Sequence, residues 1–117
     1  MIPASGATAG LRLVHRGRTL AGARVAATRG ARRRGLLGVD VVEGVLVLRA
    51  RSVHTIGMRI PIDVASCSVD GRVRRVRTLV PGRVGRPIRH APIAIEAAAG
   101  AFSEWGIVPG DVLELVA

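Results

Sequence analysis

Lysine, asparagine, glutamine and tyrosine are missing from the 117 residues of this chain, and cysteine occurs once. Without lysine there is no Schiff-base chemistry and no phosphate loop of the Gly-Lys-Ser/Thr type, and without asparagine no Cys-His-Asn triad. The lone Cys67 excludes an internal disulfide and any zinc site built on two cysteines. Phe102 and Trp105 are the only aromatic residues, too few for a stacking platform for single-stranded nucleic acid. The longest apolar run, near Val45–Leu48, is far too short to span a membrane. Met1–Gly10 lacks the basic start and apolar stretch of a secretory signal, so a soluble, cytoplasmic monomer is expected.

What is abundant is arginine. All 18 basic residues are Arg, against 8 acids, giving a net charge of +10. Residues 1–89 hold every Arg and four acids, a balance of +14, whereas residues 90–117 hold Glu96, Glu104, Asp111 and Glu114 with no Arg, a balance of −4. In one domain these segments can lie together and pair some of the arginines. The charge therefore predicts only weak, non-specific attraction to nucleic acid.

The hydrophobic fraction of 49% supports one core. Residues 1–10 read as a flexible tail and 11–117 as a single globular domain. Leu11–Val14 and Thr19–Ala27 form a predicted strand pair about the turn His15-Arg16-Gly17-Arg18. Thr28 is placed to cap a short helix over Arg29–Leu37. Val45–Arg49, Pro61–Ser68, Arg72–Leu79, Pro92–Glu96 and Val112–Val116 read as further strands, with Asp70-Gly71 as a hairpin turn. Ala97–Trp105 is the best local helix, stopped by Gly106. The expected fold is a β-rich α+β domain, barrel-like, with about seven short strands and one or two short helices.

Functional residue types are densest in Val53-His54-Thr55-Ile56-Gly57-Met58-Arg59-Ile60-Pro61-Ile62-Asp63, which holds an imidazole, a hydroxyl, a guanidinium and a carboxylate. Strand alternation puts Ile62 and Val64 on one face and Asp63, Ala65 and Cys67 on the other. Asp63 either pairs with Arg59 or caps loop amides, or it belongs to a ligand site. Cys67 reads as a small, inert, buried thiol, and Asp111 as the cap of a tight turn. His15, His54 and His90 are scattered without metal-ligand spacing, so neither a metal nor another cofactor is expected.

Arg34-Gly35-Leu36-Leu37-Gly38, then the His54–Asp63 motif, then Asp70-Gly71-Arg72-Val73, Leu79-Val80-Pro81-Gly82-Arg83, Ile95-Glu96 and Gly106-Ile107-x-Pro109-Gly110-Asp111 follow in an order and spacing that resemble the domain of unknown function 192 family. The resemblance covers roughly residues 20–116. It implies a β-rich single domain with one or two short helices and supplies no established reaction.

Three functions follow from these residues. The first is a binding or accessory domain holding a small anionic ligand or a protein partner at loop 53–63. There Arg34, Arg59 and Arg83 would meet the anion, His54 and Thr55 would hydrogen-bond it, and Asp63 would fix the loop. The second is a small hydrolase with His54 and either Asp63 or Glu96 as acid and base. The third is an electrostatic nucleic-acid binder using Arg29–Arg34 and Arg72–Arg77.

Overall fold

The computed structural model describes residues 1–2, 10–28, 30–31 and 35–117. Seven strands form one sheet among them: β1 (Leu11–His15), β2 (Arg18–Val25), β3 (Val45–Arg49), β4 (Ile62–Cys67), β5 (Val73–Leu79), β6 (Ile93–Ala98) and β7 (Glu114–Val116). Their order is β5-β4-β6-β3-β2-β1-β7. Neighbours are antiparallel except β2 beside β3, whose parallel pairing needs the long crossover between them.

Turn chemistry sets the hairpins. Arg16 and Gly17 both have positive φ, 51° and 78°, the two-residue turn whose twist suits adjoining strands. The Asp70-Gly71 turn closes β4 onto β5, with the Gly71 N–H donating to Ser68 O at 3.0 Å.

The central strands are buried on both faces, so alternation divides their side chains between two cores. One face carries Leu13, Val47, Ala65, Cys67, Ile95 and Ala97, joined by Phe102, Ile107 and Leu113. The other carries Leu46, Leu48, Ile62, Val64 and Ala94, covered by Leu36, Val53 and Met58 from loops. Met1 and Ile2 pack against the first core; residues 3–9 of the predicted tail lie outside the described residues.

Two expectations need correction. The sheet is not closed into a barrel. Its edges approach through the isolated bridge Arg72–Val112 and turn bonds such as Leu113 N–H to Gly71 O at 2.9 Å, but β5 and β7 form no ladder. The Pro109-Gly110-Asp111 turn occupies the approach, and β7 has only three residues. The predicted helix Ala97–Trp105 is mostly absent. Ala97 and Ala98 extend β6 opposite Asp63 and Ile62, and helix α1 spans only Ala101–Glu104 after Gly100 at φ 88°. Strand pairing with β4 overrides alanine's helix preference. Thr28 does accept the Ala31 N–H at 3.0 Å. Arg29 and residues 32–34 of the other predicted helix lie outside the described residues.

A Cβ added to Gly71, at φ +90°, would stand 2.1 Å from Leu113 O. Gly71→Ala is expected to cost at least about 2 kcal/mol, read as a lower urea midpoint. Gly17→Ala, at φ +78° but with nothing within 4 Å, should cost only about 1 kcal/mol.

Candidate functional site

Strands β4 and β6 decide which acids can act together. Val64 lies opposite Glu96, and Asp63 opposite Ala97. Opposed residues share a face, so Asp63 points into the first core with Ala97 while Glu96 points into the second with Val64. The two carboxylates stand on opposite sides of the sheet.

Asp63 is 2% exposed and its oxygens are occupied. One accepts the Thr78 hydroxyl at 2.6 Å, the other the Phe102 N–H at 3.2 Å. It ties β4 to β5 and to the start of α1. Arg59 pairs instead with Asp40 at 3.2 Å, with both side chains largely in solvent, a geometry that contributes about 1 kcal/mol or less.

Glu96 is 3% exposed and has no hydrogen-bond or ion-pair partner among the described residues. It borders a cavity of about 110 Å³ walled by Leu36, Leu48, Val53 and Met58, with Arg49 and His54 also on its lining. Removal from water penalises the carboxylate and pushes the Glu96 pKa up to about 7.

Thr55 holds the loop over this cavity. Fully buried, it donates its hydroxyl to Val80 O at 2.6 Å and accepts the Arg83 N–H at 2.9 Å. Its N–H donates to Arg83 O at 2.7 Å, and its carbonyl accepts the Gly82 and Met58 N–H groups at 2.9 and 3.0 Å. His54 bridges Val84 and is itself exposed. The Arg83 backbone is used in this junction, while its side chain is exposed. Arg34 lies outside the described residues.

The structure thus brings His54 and Glu96 to one cavity, puts Asp63 behind the sheet, and uses Thr55 as a structural pin. Leu36 and Met58 escaped the sequence reading as site residues, because which segment covers that face depends on tertiary packing. Arg49, opposite Ile93, is directed by alternation to the first-core side with Val45 and Val47.

Burial pushes the Cys67 thiol up to about 12, which keeps it protonated and unreactive. Asp111 accepts the Val108 N–H at 2.9 Å, and that bond, with His15 at 3.6 Å, holds its carboxyl below the usual range. Among the described residues the Arg–carboxylate ion pair is Arg59–Asp40, which uses none of the C-terminal acids. No three of His, Cys, Asp and Glu gather among the described residues as a metal would need, and no described helix is long and apolar enough to cross a membrane.

A family described as "Uncharacterized ACR", domain of unknown function 192, matches residues 12–115. A crystal structure of a protein of unknown function from Novosphingobium aromaticivorans is similar at a TM-score of 0.73 and 19% identity, covering 89% of this chain and 82% of that one. A protein from Sinorhizobium meliloti, provisionally described as a transcription regulator, is similar at a TM-score of 0.74 and 24% identity, covering 89% and 90%. These likenesses are of fold. No curated protein matches the chain.

The raised Glu96 pKa has a definite sign. Folding favours its acid form, so the stability present below about pH 4.5 is lost as pH rises to about 7. The loss is of order about 3 kcal/mol. Glu96→Gln should flatten that part of the stability–pH curve, measured by urea unfolding from pH 4.5 to 8. Asp63→Ala should instead cost about 2 kcal/mol, by leaving the Thr78 hydroxyl and Phe102 amide without an acceptor.

Proposed function

The chain belongs to the domain of unknown function 192 family, and within it we propose a small, non-catalytic binding domain whose ligand enters the Glu96 cavity. The observation that carries this reading is Glu96 itself, a buried carboxyl without a described partner that faces open space. Burying such a group is costly unless something meets it. A volume of about 110 Å³ matches roughly four waters, so the ligand is only a few heavy atoms.

A small organic acid suits the lining. Glu96 in its acid form donates its O–H to the ligand carboxylate, while His54 at the rim supplies a further hydrogen bond. A partner protein can present the same carboxylate. Supporting that source, the exposed apolar residues Leu37, Ile56, Val80 and Val84 stand on the loops around Thr55.

One observation favours a second reading. His54 and Glu96 line the same cavity, and a carboxyl titrating near pH 7 suits general acid–base work, so a small hydrolase using this pair is the runner-up. A role on nucleic acid has only the net charge of +10 behind it here.

Calorimetric titration with acetate, propionate and butyrate tests the binding reading. Because the complex takes up a proton at Glu96, affinity should be about tenfold higher at pH 6 than at pH 8. Glu96→Gln should abolish that dependence, and His54→Ala should weaken binding severalfold. Absence of binding, or affinity that rises with pH, sinks the proposal.

A further inference from the structure

A second basic feature lies away from the Glu96 cavity. Arg51, Arg74, Arg89 and His90 border a cleft of about 570 Å³ between the β4–β5 hairpin and the segment leading into β6. No acidic residue is on its lining among the described residues. None of the three guanidinium groups has a hydrogen bond or ion pair among the described residues. The nearby acid, Asp70, is drawn into its own turn by the Ser68 hydroxyl.

Local backbone features deliver these groups. Ser66 pairs with Arg75 and Cys67 with Val73, so Arg74 is the extra residue of a β-bulge, a device that re-aims a side chain. His90 holds φ 58° although it is not glycine, an uncommon backbone state. The Ala50 N–H donates to Pro92 O at 2.9 Å and the Ile88 N–H to Arg51 O at 3.3 Å, which fixes Arg51 beside the Arg89–His90 segment. Like charges gathered without a counter-charge repel one another, and a multiply charged anion relieves that repulsion while accepting forked guanidinium hydrogen bonds.

We propose that this cleft binds the phosphate group of a small phosphorylated molecule, with the organic part against Val69 and Pro92. The volume lies within the range of about 300–1,000 Å³ typical of small-molecule sites. Three guanidinium groups and an imidazole around one short cleft favour a small ligand over a duplex, which would call on charge spread across a broad surface. The site is distinct from the Glu96 cavity and stands independently of it.

The test is titration with inorganic phosphate and pyrophosphate at low salt, followed by amide NMR shifts and calorimetry. Pyrophosphate should saturate at one per chain and shift amides of residues 68–74 and 88–92. The pair Arg74→Ala and Arg89→Ala should raise its Kd at least about tenfold, a loss of 1.4 kcal/mol or more. The control pair Arg24→Ala and Arg86→Ala removes equal charge from elsewhere and should change Kd less than about twofold. A 20-base-pair duplex serves as the second arm. Non-saturating phosphate binding overturns the proposal, as does equal weakening by the two pairs of substitutions. Duplex binding that both pairs weaken alike, without pyrophosphate saturation, overturns it in favour of diffuse charge.

Discussion

Strand β6 is hydrogen-bonded between β4 and β3 and buried on both sides from Ile93 to Ala97, so each of those side chains must enter one core or the other. That constraint organises the molecule. Ile93, Ile95 and Ala97 fill one side; Ala94 and Glu96 are left for the other. Pairing with β4 then places Asp63 and Glu96 back to back. A slip of β6 by one residue would turn Glu96 to the Asp63 side and its isoleucines to the wrong core, which is why the register is so strongly specified. The same register separates two ways of tolerating a buried carboxyl. Asp63 is satisfied by an amide and a hydroxyl, whereas burial shifts Glu96 toward its acid form.

The cover of the second core depends on main-chain bonding around Thr55 more than on ion pairs. Loop 53–58 is joined to loop 80–85 by bonds at Val53, Thr55 and Gly85, none of which involves a charge. Gly85 is needed where it stands, since a Cβ there would lie 2.7 Å from Val53 O. Salt should therefore leave the cavity walls unaltered while screening the arginine-rich surface.

Legibility from sequence followed the range of the interactions. The turns at Arg16-Gly17 and Asp70-Gly71, the cap at Thr28 and the Asp111 turn are local and were readable from residue type. Alternation also put Asp63, Ala65 and Cys67 on one face correctly. The fate of Ala97 and Ala98 was not readable, because alanines favour a helix until β4 offers backbone partners. The open edge between β5 and β7 was equally hidden, since strand count alone does not say whether a ladder closes. At the candidate site, the motif residues His54 and Thr55 were visible, but their separate duties depend on Val80, Arg83 and Leu48 from distant strands and loops.

Trp105 meets Phe102 edge-on, with ring centroids 5.5 Å apart, beside the first core. The chain has no tyrosine and no second indole, and the Glu96 cavity on the other side of the sheet has no aromatic lining. Intrinsic ultraviolet fluorescence is consequently a single-chromophore report on α1 and the first core. It follows unfolding cleanly and is optically blind to what occupies the cavity behind the sheet.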